Sequence, residues 1–300
     1  MKATADIFRG AATVEKGWPA VIADLAKARL TALVLLTTLV GFYLGSQGTM
    51  DFAMMFHTLL GTALVASGAA ALNQLLESEY DAKMSRTASR PLPSGRMQSV
   101  TVMLFGGGCA VVGLVYLALL VNLLTTVIGA VSLLSYLFIY TPLKRVTWLN
   151  TAVGAIPGGM PPLMGWAAAR GELDGGGWAL FAILAFWQLP HFLAIAWIYR
   201  EEYAKAGFQM LPNVDPDGSR TAQQAVSHTL ALLPISLGSF LFGLAGPVYL
   251  AGALVLGAGF FWCAVRFARE LSVSRARQMF FASIVYLPLL LALLVFDKMK

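Results

Sequence analysis

Apolar residues along this chain fall into nine long runs, roughly 27–45, 52–76, 99–120, 122–140, 149–168, 177–199, 222–245, 247–266 and 278–296, with short polar connectors between them. A bilayer core about 30 Å thick takes roughly 20 residues of helix, so each run predicts one membrane-crossing helix. The runs are apolar all round, as befits helices that face lipid and one another. The pattern predicts an all-α, polytopic membrane protein: nine transmembrane helices around a central cavity form one domain over residues 25–300, after a polar N-terminal tail at residues 1–24.

The connectors alternate in character. Those near 46–51, 121 and 246 carry no Lys or Arg and 169–176 carries only Arg170, whereas 77–98, 141–148, 200–221 and 267–277 are basic. With each flanking charge assigned to its nearer side, 18 of the 21 Lys and Arg lie with the N-terminal tail and the even-numbered connectors, leaving Arg170, Lys298 and Lys300 opposite. Cytosolic loops are enriched in these residues, which predicts a cytosolic N-terminus and a C-terminus outside. The tail lacks the compact apolar stretch and small-residue cleavage site of a signal peptide, and its Asp6 and Glu15 suit a mitochondrial transit peptide poorly, so a bacterial inner membrane is expected.

Composition agrees: 58% hydrophobic against 12% charged residues and a mean hydropathy of +0.72 exclude an ordinary water-soluble globule. A net charge of +6 would suit a nucleic-acid binder if the cations shared a solvated face, but here they sit in gaps between apolar runs, and no nucleic acid is implied. Cys109 and Cys263 each lie inside an apolar run, which offers neither a disulfide framework nor a Cys-rich metal site.

The acidic residues cluster after the second and sixth runs, as Glu77, Glu79 and Asp81 and as Glu201, Glu202, Asp215 and Asp217. The two loops are four helices apart, which suggests a 4+4+1 arrangement of helices. In the first cluster Asn73, Glu77 and Asp81 recur every four positions and so form one helical stripe, about 12 Å long at 1.5 Å per residue. Carboxylates and an amide are the hard oxygen ligands that Mg²⁺ accepts alongside substrate phosphates. Arg86 and Arg90, again four apart, follow before the breaker Pro91-Leu-Pro93. Acids alone would repel a pyrophosphate and arginines alone would be a topology signal, but together they can hold Mg²⁺ and pyrophosphate at once. The plainer reading is a solvated helix end with salt bridges, against which the deep Asn73 and the rigid Pro-Leu-Pro weigh.

The segment Asn73 to Pro93, with Glu77, Asp81, Met84, Arg86-Thr87 and Arg90-Pro91-Leu92-Pro93 at fixed spacing, resembles the first signature of the UbiA-type intramembrane prenyltransferases, and within them the branch that farnesylates protohaem IX. Tyr140-Thr-Pro-Leu-Lys144-Arg145, Gly154 through Trp166, Trp187-Gln-Leu-Pro190-His191-Phe, and Arg200 through Pro212 extend the resemblance over roughly residues 25–296. It implies transfer of the farnesyl group of farnesyl diphosphate to a vinyl group of haem b, with addition of water, to give haem O. It also implies Mg²⁺ and pyrophosphate on Asn73, Glu77 and Asp81, and the phosphates on Arg86, Arg90 and Lys144. The second acidic motif of many relatives shrinks here to Glu202 with Glu201 beside it, so Glu202 is the expected ligand of a second metal position. Delivery of product to a haem A synthase or terminal oxidase would follow.

His191 alone would read as a helix–helix hydrogen bond, but in its Trp-Gln-Leu-Pro-His-Phe setting it is expected to contact haem, as axial ligand, propionate partner or proton donor. His57 and His228 read as structural. Trp187, Trp197, Tyr140, Tyr199 and Tyr203 are candidates to flank a carbocation, a role with which ordinary interfacial aromatics compete. Gly106-Gly-Gly108 reads as helix packing and Gly175-Gly-Gly177 as an outer turn. Two other functions remain open: a prenyltransferase acting on an aromatic quinone precursor, and a secondary transporter, which would need ionisable sites near the midplane rather than at one face.

Overall fold

The computed structural model describes residues 17–299, which leaves the first 16 residues of the expected tail, with Lys2, Arg9 and Lys16, outside the described part. Twelve helices follow in order: α1 Trp18–Leu25, α2 Ala28–Gly45, α3 Phe52–Asp81, α4 Ser99–Leu120, α5 Leu123–Leu143, α6 Asn150–Arg170, α7 Gly175–Ile198, α8 Arg200–Ala206, α9 Leu211–Val214, α10 Ser219–Leu241, α11 Pro247–Arg269 and α12 Val273–Phe296. The only extended pairing among the described residues is an isolated bridge between Ala245 and Lys298. The chain is a multi-pass, all-α membrane protein.

Eight described helices are long and apolar enough to cross a membrane. The expected count was nine. The difference lies at α6, which has 21 residues but carries Pro157, Pro161 and Pro162 internally along with Gly154, Gly158, Gly159 and Gly165, so its mean hydropathy falls. Most of this helix is buried, packed on α2, α5 and α7. Prolines inside a helix free backbone carbonyls, which neighbouring helices can satisfy. Here Pro161 leaves the Pro157 carbonyl free, and Ser132 Oγ donates to it at 3.2 Å.

Small residues let α6 approach α2 closely. A Cβ at Gly41 would fall 2.0 Å from the Pro162 carbonyl oxygen, and one at Gly165 2.0 Å from that of Thr38. This is the close backbone approach that drives helix association in lipid. The α3–α4 pair is built likewise, with Gly68 against Ala110 and Gly106 against Leu72. Of the expected packing triplet, Gly106 alone is in contact, and Gly107 and Gly108 face open space. The expected outer turn at Gly175–Gly177 is instead the first turn of α7: Asp174 Oδ1 accepts from the Gly176 amide at 2.9 Å, and Gly176 and Gly177 lie against the Trp166 indole.

Three features place the polar groups. First, α3 runs five residues past its apolar run, so Glu77 and Asp81 continue the helix rather than beginning a loop. Second, α5 widens into a π-helical stretch at Ser135–Tyr140, leaving the Tyr136 carbonyl to accept from Thr141 Oγ1 at 2.8 Å. Such π-bulges often mark functional sites. Third, residues expected as tail form α1, whose end is tied to α3 by Gln74 Nε2, donating to the carbonyls of Asp24 at 3.2 Å and Leu25 at 2.7 Å.

Candidate active site

The stripe on α3 forms as its spacing predicts, with Asn73, Gln74, Glu77 and Asp81 all buried. Each of its three expected ligands meets a cation from a different part of the chain. Lys27 Nζ donates to Asn73 Oδ1 at 2.8 Å, Lys144 Nζ pairs with Glu77 Oε1 at 2.8 Å, and Arg90 pairs with Asp81. Asn73 Nδ2 donates in turn to Thr141 Oγ1 at 3.1 Å, which anchors the stripe to the widened end of α5.

Lys27 is the residue that sequence reasoning missed. It lies between α1 and α2 with φ of 47°, the only non-glycine with positive φ among the described residues. The αL region is uncommon and costly for such a side chain. The turn carries its amine inward to Asn73, although its stem is half-exposed. Burial, and then the neighbouring Arg90 and Lys144 charges, lower its pKa to about 7. Burial also opposes the charge of Lys144, but Tyr140 and Glu77 outweigh it and raise its pKa. The Lys144 ammonium lies 4.6 Å from the Tyr140 ring centre and 5.9 Å from that of Phe208, within cation–π range.

The expected arginine pair separates. Residues 82–98 form successive turns rather than a helix, so Arg86 and Arg90 do not share a face. Arg90 folds back to Asp81, while Arg86 reaches outward between two tyrosines, 5.1 Å from the Tyr199 ring centre and 5.6 Å from that of Tyr203, whose hydroxyl accepts from Arg86 at 3.0 Å. Glu202 joins this outer group. It accepts from Ser85 Oγ at 2.9 Å and from the Arg86 amide at 3.4 Å, and so links α8 to the first loop. Gln209 closes the assembly by donating its amide to the Lys144 carbonyl at 2.7 Å. The loops after α3, α5 and α7 thus form one polar end.

No cluster of three or more His, Cys, Asp or Glu that could hold a metal is present among the described residues. The donor set that remains, one amide and two carboxylates on consecutive turns, matches the oxygen chemistry that Mg²⁺ takes when phosphate and water complete its shell.

His191 lies apart from this centre. Its Nδ1 is 2.7 Å from Ser283 Oγ on α12, and its ring is sandwiched between Trp187 and Phe280, with centroid distances of 4.8 and 5.0 Å. Trp187 donates to the Ser283 carbonyl at 2.8 Å. Of the five aromatic candidates, Tyr140, Tyr199 and Tyr203 lie against Lys144 and Arg86, while Trp197 packs edge-on against Phe267 in the core and under the Arg200 guanidinium, 4.9 Å from its ring centre. His57 is 2.7 Å from the Tyr116 hydroxyl and His228 lies edge-on to Phe186, both away from the stripe.

The sequence profile of the UbiA prenyltransferase family matches residues 34–285, which include most of these groups. The chain belongs to the UbiA prenyltransferase family. Among family relatives, a protoheme IX farnesyltransferase of Solibacter usitatus (strain Ellin6076) is 50% identical over 284 residues, covering 92% of this chain and 97% of that protein. Among solved structures, one described as digeranylgeranylglyceryl phosphate synthase in membranes superposes with a TM-score of 0.79 at 16% identity, covering 93% of this chain and 98% of the other. A UbiA homologue from Archaeoglobus fulgidus, bound to DMAPP and Mg²⁺, superposes with a TM-score of 0.64 at 14% identity over 90% of this chain and 99% of that one. At such identities the likeness is one of fold. Family membership makes the chain a prenyltransferase and removes the transporter reading.

Proposed function

We propose that this enzyme transfers the farnesyl group of farnesyl diphosphate to a vinyl group of haem b, forming haem O and releasing diphosphate. The observation that carries the prenyl-transfer half is the threefold pairing on α3, where Asn73, Glu77 and Asp81 each face a cation delivered from elsewhere in the chain. The acceptor half rests on the farnesyltransferase relatives, which match over nearly their whole length.

In this reading Lys27, Lys144 and Arg90 turn from the carboxylates and amide to the diphosphate oxygens, and Arg86 reaches them from the rim. Mg²⁺ held by Asn73, Glu77 and Asp81 would supply positive charge that stabilises the departing diphosphate. Glu202, bonded to the loop that carries Arg86, serves this site by positioning that arginine or as ligand of a second metal. The allylic C1–O bond breaks with its electron pair going to diphosphate, and Tyr140 offers a π-face to the positive charge left on the hydrocarbon. The vinyl π-bond then forms the new C–C bond to C1. Water adds to the cation left beside the porphyrin and gives up a proton, which completes the hydroxyethylfarnesyl group. His191, enclosed by Trp187 and Phe280, sits deeper in the bundle than the diphosphate cations and serves the acceptor.

The charge bias of the connectors supports a cytosolic polar end and the bacterial relatives support an inner membrane, so diphosphate would leave to the cytosol, while haem O stays in the membrane for a haem A synthase or terminal-oxidase assembly. The test is to incubate purified protein with haem b, farnesyl diphosphate and Mg²⁺ and identify the porphyrin by mass. A product heavier by one farnesyl group and one hydroxyl is expected. Unchanged haem b, together with prenylation of an aromatic quinone precursor, would reassign the acceptor.

A further inference from the structure

Between α7 and α12, at the polar end, a recess of about 160 Å³ is lined by Ile195, Ile198, Tyr199, Arg277, Phe280 and Phe281. Its inner wall is Phe280, the ring that stacks on His191. Tyr199 borders it as well, and this same tyrosine lies beside Arg86 of the diphosphate group. The recess therefore borders both parts of the site without belonging to either. Its one formal charge is Arg277, which makes no hydrogen bond or ion pair with any described residue, whereas Arg275 two positions earlier is held by Glu270 at 2.8 Å.

An unpaired guanidinium above an aromatic slot matches a flat apolar molecule with a carboxylate on one edge. The aromatic walls take the ring, and the guanidinium takes the carboxylate through two parallel donors. A prenyl diphosphate suits the slot poorly, since its anionic end already has Lys27, Lys144 and Arg90 along the α3 stripe. We infer that this recess is where the acceptor is docked by its carboxylate edge: Arg277 grips a porphyrin propionate, and the ring lies along Phe280 toward His191. The inference rests on the haem reading above and adds to it the residue that selects an acidic acceptor. A residue placed only for membrane topology would have no preference among acceptors.

The experiment uses the full chain, with haem b and haem b dimethyl ester as acceptors at saturating farnesyl diphosphate, in the parent, Arg277→Gln and Arg277→Lys proteins. A charge-assisted hydrogen bond contributes about 1.5–3 kcal/mol, so Arg277→Gln should raise KM for haem b about tenfold or more. KM for the diester and for farnesyl diphosphate should move less than about twofold, and Arg277→Lys should restore part of the loss. Arg277 lies exposed at the start of its helix, so the variants should fold. Equal effects on diacid and diester, as expected if Arg277 meets only lipid phosphate, would overturn the inference, and so would unchanged kinetics with haem b. Turnover of haem b by the parent protein secures the haem reading in either case, and its absence would sink that reading by itself.

Discussion

The two ends of the bundle differ in what their cations hold, although Asp215 caps α10 at the polar end much as Asp297 caps α11 at the other. At the end opposite the stripe, charged side chains serve the backbone or a sequence neighbour. Asp297 Oδ2 accepts from the Tyr249 amide at 2.7 Å and caps α11, Lys298 donates to the Tyr43 and Ser46 carbonyls at 2.6 and 2.9 Å, and Arg170 meets Asp174 four residues on. At the polar end, Lys27, Arg90 and Lys144 meet side chains of one helix, two of them from far away in sequence. A charge that caps a helix cannot leave without exposing an amide or carbonyl. A cation paired with a carboxylate can move to a phosphate, and the carboxylate can take a metal in exchange. The first end is built to stay closed and the second to exchange partners.

Asp81→Asn and Glu77→Gln test the distinction most severely. Each keeps its shape and loses its charge, so turnover should fall by about 10²–10³ while the protein retains its detergent-solubilised fold by circular dichroism. Near-normal rates in both would make the stripe a structural ion-pair array. Excess EDTA should likewise silence the parent, and activity that survives it would remove the metal.

Lys27→Gln should cost about tenfold in KM for farnesyl diphosphate, the worth of about one charge-assisted contact. Equal loss with every substrate and a lower melting point would instead make the Lys27–Asn73 bond a tether for α2. His191→Ala should lower transfer to haem severalfold while leaving diphosphate affinity alone, since a helix–helix hydrogen bond in a membrane is worth only about 0.6 kcal/mol. Parallel loss of stability and of both affinities would return it to structure. At the opposite end, Asp297→Ala should lower the thermal midpoint by about 2–4 °C and leave both KM values unchanged. A selective loss of activity there would erase the contrast between the ends.

The sequence made some of this site plain. Asn73, Glu77 and Asp81 were legible because a helix repeats every 3.6 residues and oxygen ligands on so apolar a segment have few other uses. Lys144, which meets Glu77, was legible by resemblance alone, and His191, which the same resemblance assigns to the acceptor, lies apart from this cluster. Lys27 was hidden, because a lysine just before a membrane span looks like any topology signal, and only the left-handed turn aims it inward. Arg86 and Arg90 misled for the converse reason: a spacing of four implies a shared face only on a helix, and the chain there turns repeatedly. In α6 the glycines that lower its hydropathy let it pack on α2 at Gly165, on α7 at Gly158 and Gly159 and on Tyr140 at Gly154, so hydropathy undervalues one of the most buried helices.

That α2–α6 seam restricts how the protein can be altered. Gly41 lies 14 residues from Lys27, roughly 21 Å along α2. Alanine at Gly41 or Gly165 would place a methyl group where a backbone carbonyl already sits, so the helices would have to part there. A helix is stiff, so a wedge in the far part of the span becomes a swing at its Lys27 end, where a 2.8 Å contact with Asn73 tolerates little displacement. The seam acts as a fulcrum. Attempts to redirect the enzyme to other acceptors have freedom on the facing surfaces of α7 and α12, whereas a single methyl group at the fulcrum would detune the proposed diphosphate site from about 21 Å away.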